Sequence, residues 1–382
     1  MNMSGLTKRL IGQIDDIGFM ASIITLPLSI KWSSKLLFMS ILLRFFRMVS
    51  KKDFSWYSNQ KPVITFYTLL VFYIIIQGIW LDGSWLFFKT FDKAYAPYLI
   101  FLLVPLFYNN IKIVAQIPKA LILGVGILML FILVLTLVEW QWYDREMILE
   151  VFDIHHLYIS LYLLFIMNYI LSSNDVFKLK SRSLLLLMVI LFLLLFRSKA
   201  AIVTALALML FHSGIWLKLS FKKLIGLGFV IAILIVIFHT FFFELYLKAL
   251  DFRSRIWNVA IESIMQQPLL GYGNINEYDI LNTGHFLNGN YDFLDSHLNA
   301  HNQFLTSLLK FGLVGFILMF IPYSYPLLKG KNSIRYEYIG FLIVMIPMSF
   351  VESFFNRHHG IVFFCITLYY YHTMSKKVEL KA

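Results

Sequence analysis

The stretch 301-HNQFLTSLLKFGLVGFILMFIPYSYP-326 decides the fold, because it joins a polar segment to an apolar run long enough to cross a lipid bilayer. A membrane-spanning helix needs about 20 mostly apolar residues, and about twelve such runs follow one another along the chain. They cover residues 14–30, 34–50, 62–81, 94–108, 119–138, 154–172, 183–197, 199–217, 224–243, 301–326, 337–351 and 360–374. The sequence therefore predicts an all-α integral membrane protein with about 12 transmembrane helices.

The composition excludes a water-soluble protein, since 59% of the 382 residues are hydrophobic and only 14% are charged. The net charge is +12, but the Lys and Arg residues lie in short clusters between the apolar runs, where they set membrane topology. We therefore predict that the lipid bilayer is a partner and that nucleic acid is not. The single cysteine, Cys365, has no second cysteine with which to form an intramolecular disulfide.

The distribution of charge predicts the orientation. With the N-terminus inside, the inner segments hold about 21 of the 33 Lys and Arg residues and about 6 of the 21 Asp and Glu residues. Both termini are then cytoplasmic. The predicted organisation is nine transmembrane helices in residues 1–243, one large external loop containing short helices in residues 244–300, and three transmembrane helices in residues 301–382.

The predicted external loop is where function is expected, because the other loops are short. Its glycines and asparagines are typical of turns and exposed polar segments. It begins with 251-DFRSRIWNVAIESIMQQP-268, a pattern that predicts an amphipathic helix with Asp251 as its cap and Pro268 just past its end.

His301 lies where this loop meets the next apolar run. On a continuous helix, His301, Leu305, Leu308, Gly312 and Gly315 would form one stripe. Glycines on that stripe would let a neighbouring helix approach closely and fix the imidazole at the outer membrane surface. A neutral imidazole there suits removal of a proton from a hydroxyl group. The alternative is a histidine that only caps the helix or lies at the membrane interface.

Two motifs carry a family resemblance. His301 and Asn302 are followed, after nine residues, by the Gly-x-x-Gly of Gly312 and Gly315, and they are preceded by 253-RSRIWNVAIESIMQQPLLGYGN-274. This combination resembles the bacterial O-antigen ligases and the related O-antigen and capsule polymerases. The resemblance implies a GT-C-like, metal-independent glycosyltransferase without a cofactor, which moves a glycan from an undecaprenyl-diphosphate-linked oligosaccharide donor to a glycan acceptor.

The same resemblance implies a location and a partner. The protein would be a multi-pass protein of the bacterial inner (plasma) membrane, with its active site on the periplasmic or external face. A chain-length regulator protein is the partner implied by the family.

The implied reaction needs positive charge at the membrane face, because the leaving group is a diphosphate. Arg255 suits this task, since a guanidinium binds two phosphate oxygens at once. Where the family has Ser-Arg at the start of an earlier helix, this chain has Ser198-Lys199, and Arg197 or Lys199 would supply the second cation. His301 would then activate the acceptor hydroxyl for attack on the anomeric carbon with inversion. The alternatives are a surface ion pair for Arg255 and a membrane-interface position for Arg197 and Lys199.

Further side chains are secondary candidates for the site. Asn302 adjoins His301, Trp257 is suited to stacking on a sugar, and Arg357 and His358 could bind diphosphate or sugar. An aromatic belt and an interfacial cluster of charged residues are the simpler explanations for Trp257 and for the Arg-His pair. Lys310 is costly in lipid and is expected to face the helix bundle or a wet cavity.

A metal site is the alternative interpretation of some of these residues. Asp295, His297 and His301 would share one helical face, and Asp144 and Glu146 form an acidic pair in another predicted outer loop. The turn-like sequence around His297 and the short ligand set argue against a metal at either place. We predict that no metal is bound.

The sequence is compatible with three functions. The shared motif does not distinguish a repeat-unit polymerase from an O-antigen ligase that transfers the glycan to the lipid A core. The brevity of the chain and the Lys199 departure favour the polymerase. A lipid-linked oligosaccharide flippase would have charges along both halves of the bundle and related helix halves, whereas here the polar groups gather at one face.

Overall fold

A computed structural model gives the structure of the chain and describes residues 13–53, 55–139, 145–172, 179–216, 243–274, 277–294, 298–330 and 332–377. Every regular element within these ranges is a helix. The predicted all-α fold is confirmed for the described residues. Residues 224–242 of the ninth predicted run lie outside them.

The first two helices are joined by buried ion pairs. Helices α1 (Ile14–Thr25) and α2 (Ile30–Lys51) pack against each other after a short turn. Arg47 Nη2 lies 2.8 Å from Asp15 Oδ2, and Arg44 Nη1 lies 3.3 Å from an oxygen of both Asp15 and Asp16. The two carboxylates on α1 thus compensate the two arginines that make the run 34–50 unusually polar for a membrane helix.

Helix α3 (Ser55–Ala94) is long and bent. Gly83 has φ +76°, a value that an L-residue rarely adopts, and it interrupts the helix. The segment Gly83–Ala94 meets the segment Ala96–Phe107 at 59°. The second segment consists of α4 (Ile100–Leu103) between two 3₁₀ turns, Ala96–Leu99 and Val104–Phe107, each of which has a proline near its start.

Twelve further helices complete the described chain. They are α5 (Ile111–Val114), α6 (Ile117–Glu139), α7 (Arg145–Phe152), α8 (His156–Ser172), α9 (Leu179–Leu195), α10 (Lys199–Trp216), α11 (Phe243–Gln266), α12 (Glu277–Leu287), α13 (Gln303–Phe320), α14 (Tyr325–Lys329), α15 (Asn332–Ser349) and α16 (His358–Lys377). Short 3₁₀ turns cover Tyr291–Phe293, Ile321–Ser324 and Phe354–Asn356. Helices α8 and α16 are buried along almost their whole length, so they form the centre of the bundle.

Three helical stretches in the described residues are long and apolar enough to cross a membrane: Gln60–Leu81, Ile111–Val138 and Gln303–Lys329. The bent pair 83–107 makes a fourth if it counts as one span. Shorter apolar helices cover His156–Ser172, Ser181–Leu195 and Lys199–Ser213. These helices fall on the predicted apolar runs, whereas the number of twelve spans stays a prediction.

The helix predicted at the start of the loop is longer than expected. Helix α11 already begins at Phe243 and passes through Asp251, so the prediction that Asp251 caps its start is wrong. The carboxylate of Asp251 is instead paired within the helix with Arg255, one turn later. The other boundary is confirmed, because α11 ends at Gln266 and Pro268 follows.

Candidate functional site

His301 lies in the turn immediately before α13. Its backbone has φ +44°, an uncommon conformation for a residue other than glycine, and its N–H donates to Asn299 Oδ1 at 2.8 Å. The next residue, Asn302, is the N-cap of α13 and accepts hydrogen bonds from the N–H groups of Phe304 and Leu305. The continuous helical stripe from His301 to Gly315 is therefore wrong at its start, because the Asn302 cap sets the first helical turn.

The stripe is also interrupted at Gly312, which has φ +58°. The loop 268–273 enters this break, and four backbone hydrogen bonds of 2.8–3.2 Å join it to residues 309–314. A Cβ at Gly312 would lie 2.3 Å from the carbonyl oxygen of Leu269, so only glycine fits there. The glycine does permit a close approach, as the sequence suggests, but of a loop backbone and not of a helix.

Helix α3 satisfies the remaining backbone groups at this break. Tyr73 Oη donates to the carbonyls of Phe311, at 2.9 Å, and Leu270, at 2.8 Å. Gln77 Nε2 donates to the carbonyl of Lys310 at 2.9 Å and also to Leu270. The carbonyls that lose their helical partners at the break have other hydrogen-bond donors. The break is therefore a stable part of the fold.

We expect Gly312→Ala to destabilise the protein by about 2–4 kcal/mol, since it adds both an overpacked atom and a strained φ. The matched control is Gly126→Ala on α6, where an added Cβ meets nothing within 4 Å. That change should be neutral or stabilise the helix. Thermal unfolding of the purified variants in one detergent measures both; equal melting of the two variants would contradict the docking of the loop at Gly312.

A buried network lies under the turn that holds His301. The side chain of Glu277, on α12, is 1% exposed and forms an ion pair with Lys310 at 3.1 Å. Lys310 Nζ also donates to Asn356 Oδ1 at 2.8 Å, and Asn356 Nδ2 donates to Glu277 at 3.1 Å. Thr306 Oγ1 donates to Glu277 at 2.8 Å. The expectation that Lys310 faces the bundle is confirmed.

The same network fixes the residue before His301. Glu277 Oε1 accepts from the N–H of Ala300 at 3.4 Å, and Trp257 Nε1 donates to the carbonyl of Ala300 at 3.0 Å. Trp257 therefore helps to hold the turn before His301. Neither an aromatic belt nor sugar stacking accounts for this hydrogen bond. Glu277 was missed in the sequence, where it is one acidic residue in a polar loop.

His301 faces a carboxylate from the turn between α15 and α16. Its Nδ1 lies 3.7 Å from Glu352 Oε2, with side chains that are 33% and 13% exposed. Burial tends to raise the pKa of Glu352, but the neighbouring His301, the N–H of Ser353 and the charge of His155 together hold that pKa below its usual value. Glu352 was also missed; the available signal was an acidic residue at the start of the predicted last outer turn.

Two arginines on α11 have different surroundings. Arg255 pairs with Asp251 at 3.2 Å and Asp292 at 3.1 Å, and its guanidinium lies over the ring of Phe293 at 4.4 Å. Arg253 Nη2 donates to the carbonyl of Val351 at 3.3 Å, next to Glu352. Burial lowers the pKa of Arg253, and the Glu352 carboxylate opposes that shift. Arg253 is thus the arginine beside the His301–Glu352 pair.

Arg197 and Lys199 lie at the start of α10, on the turn where this chain has Ser198-Lys199 in place of the Ser-Arg of the family pattern. Arg197 has φ +50°, and both side chains are exposed. Ser198, between them, is buried, and its Oγ accepts from the N–H of Ala201. Within the described ranges, neither cation makes an ion pair or hydrogen bond with the His301–Glu352 pair.

Arg357 and His358 follow Glu352 in the same turn. The Arg357 side chain is exposed, and its charge acts on the phenol of Tyr278, whose pKa is raised by burial and by Glu277 and Glu352. Arg357 therefore lies in the same region as the two carboxylates. His358 Nε2 is buried and has no hydrogen-bond partner among the described residues.

The described residues contain no group of three His, Cys, Asp or Glu side chains that could hold a metal ion. Asp295, His297 and Asp144 lie outside the described residues, and so does the side chain of Glu146. The region contains a histidine with a partner carboxylate, next to the half-buried Arg253 and the exposed Arg357. Such a set is suited to moving a proton near an anionic group.

Residues 184–320 match a protein-family model, Wzy_C, which is described as O-antigen ligase. The matched segment contains Arg197, Lys199, both α11 arginines, His301 and the helix break at Gly312. It ends before Glu352. No curated protein matches the chain.

Proposed function

We propose that the protein is a polysaccharide repeat-unit polymerase, because residues 184–320 match a family model described as O-antigen ligase and the chain is a multi-pass membrane protein. It would transfer a glycan from an undecaprenyl-diphosphate-linked donor to a hydroxyl of an acceptor glycan. The observation that carries this proposal is the His301–Glu352 pair beside Arg253, held by the buried Glu277–Lys310 network.

The proposed reaction begins with the acceptor hydroxyl. With Nδ1 facing Glu352, the Nε2 atom of neutral His301 accepts the hydroxyl proton. The oxygen then forms a bond to the anomeric carbon as the bond from that carbon to the diphosphate oxygen breaks. The electron pair leaves with the diphosphate lipid, and attack from the opposite face inverts the configuration. Glu352 stabilises the imidazolium until the proton is released to water.

We assign the diphosphate contact to Arg253. Residues two apart on a helix point to nearly opposite sides, so Arg253 and Arg255 are directed toward different surroundings. Arg253 is the one that contacts the Glu352 turn, whereas Arg255 ties α11 to the turn at Asp292. The assignment of Arg255 from the family motif stays a prediction, as does a contribution from Arg197, Lys199 or Arg357.

Arg253→Gln is expected to lower kcat/KM for glycan transfer by roughly 30-fold or more, the size expected for loss of a charge-assisted contact of about 2–3 kcal/mol. Arg255→Gln, two residues away on the same helix, is the matched variant and should cost less than about 5-fold. Both are measured with the purified protein and the lipid-linked repeat unit. A larger loss of kcat/KM in Arg255→Gln than in Arg253→Gln would assign the diphosphate contact to Arg255.

The polymerase is chosen over a ligase because Lys199 replaces the arginine of the family pattern. Both proposals use the same donor and the same His301, and they differ only in the acceptor. In a polymerase the acceptor is a second lipid-linked repeat; in a ligase it is the terminal glycan of the lipid A core.

Incubating the purified protein with its lipid-linked repeat unit, alone and with a core acceptor, tests this choice. A ladder of products from the donor alone is expected and would establish the polymerase. A single shifted acceptor band without a ladder would establish the ligase instead. Donor that stays unchanged in detergent but moves across the bilayer of a vesicle would establish the flippase and contradict both transferases.

A further inference from the structure

A polar cavity lies at the end of the bundle away from His301. Its volume is about 700 Å³, and Arg44, Arg47, Lys51, Trp56 and Lys112 line it. Trp56 lies at the start of α3, and Gln77, which contacts Lys310, lies 21 residues further along the same helix. At 1.5 Å per residue these points are about 30 Å apart, which separates this cavity from the His301 site by roughly the thickness of a bilayer core.

The acidic groups of this cavity already have partners. Asp16, which lines the cavity, and Asp15, which lies outside its lining, both pair with Arg44 and Arg47 and fix the two guanidinium groups at the cavity wall. The other lining carboxylate is Asp53, whose Oδ1 accepts from the N–H of Ser55 at 3.1 Å.

Two donors at the same cavity, on Lys112 and Trp56, have no acceptor among the described residues. Lys112 is exposed at the rim and has no acidic partner in the described part of the chain. Trp56 Nε1 is buried and has no hydrogen-bond partner among the described residues. Four basic side chains line the cavity against two acidic ones, Asp16 and Asp53. Even with Asp15 counted beside the two arginines, an excess of positive charge remains, which favours an anionic ligand rich in acceptors.

Exposed apolar side chains on α2, beside the cavity, indicate how such a ligand is held. Phe45 and Phe46, beside the two arginines, are 47% and 66% exposed. Apolar side chains beside a cationic cavity at a helix end match a lipid, whose acyl chains would cover the phenylalanines while its head group enters the cavity. A soluble phosphate compound would use only the cationic part.

We propose that this cavity binds the phosphate group of an anionic phospholipid, with Lys51, Lys112 and Trp56 Nε1 as donors and the Arg44–Arg47 pair at its floor. The proposal does not depend on the reaction at His301. It assigns to the far end of the molecule a lipid site that is separate from any lipid-linked donor.

Native mass spectrometry of the purified full chain tests the site, with phosphatidylglycerol, phosphatidylcholine and inorganic pyrophosphate as probes. The pocket variant is Lys51→Gln/Lys112→Gln, and Trp56→Phe removes only the N–H. The matched control is Lys89→Gln/Lys93→Gln, two exposed lysines at the other end of α3.

Wild type and control should retain phosphatidylglycerol in preference to phosphatidylcholine, and the pocket variant should retain at least about 5-fold less. Binding of pyrophosphate alone, lost in the same variant, would keep the phosphate site and assign it to a soluble ligand. Equal retention of every probe by pocket and control variants would overturn the proposal.

Discussion

His301→Asn is expected to lower the rate of glycan transfer by roughly 10²–10⁴-fold, the range that a general base contributes. Asparagine is the informative replacement because it tolerates the positive φ of His301 better than alanine does. It removes the imidazole and leaves the turn and the Asn302 cap in place. The measurement is the initial rate of product formation by purified protein, with the thermal melting temperature as a check on folding. Activity within 10-fold of wild type would rule out the base.

Glu352→Gln separates positioning from catalysis at the same site. We expect kcat to fall by roughly 10-fold with KM nearly unchanged, since Glu352 acts through His301 and not on the substrate. The pKa of Glu352 is lower in the folded protein than its ordinary value, so its contribution to stability is present above that ordinary pKa and is lost as the pH falls through the folded pKa. The difference in melting between wild type and Glu352→Gln should therefore be larger at pH 7 than at acid pH.

Lys310→Met should be among the most destabilising single changes in the protein, by about 3–5 kcal/mol, because it leaves the Glu277 carboxylate buried without its cation. Asn356 and Thr306 would still donate to Glu277, but neither carries a charge. Thermal unfolding in detergent measures the effect. Since Glu277 also holds the N–H of Ala300, the activity should fall together with the stability.

The double variant Glu277→Gln/Lys310→Met is the control for this prediction. Removing both charges avoids the isolated buried carboxylate, so the double variant should recover a large part of the stability lost in Lys310→Met. A Lys310→Met protein that melts like wild type, or a double variant that melts lower than either single one, would show that the pair is not coupled as the structure indicates.

The positions of the helices could be predicted because hydrophobicity is a property of consecutive residues. Eleven of the twelve predicted runs fall on described helices, and Pro268 marks the end of α11 as expected. The predicted start of α11 at Asp251 was wrong. An aspartate that could cap a helix is also stable inside the helix when an arginine follows at i+4, as Arg255 does here. Local pattern alone does not distinguish these two positions.

The sequence by itself determined the all-α membrane fold, the junction of a polar segment and an apolar helix at His301, and the small residues at 312 and 315, since each depends on residue type and spacing along the chain. Only the tertiary structure decided that α13 breaks at Gly312, that Glu352 is the partner of His301, and that Glu277 holds Lys310. It also decided that Arg253, and not Arg255, lies beside Glu352. These pairs join residues from different helices, and their energy comes from distance and burial, which are set by how the helices pack and not by neighbours in the sequence.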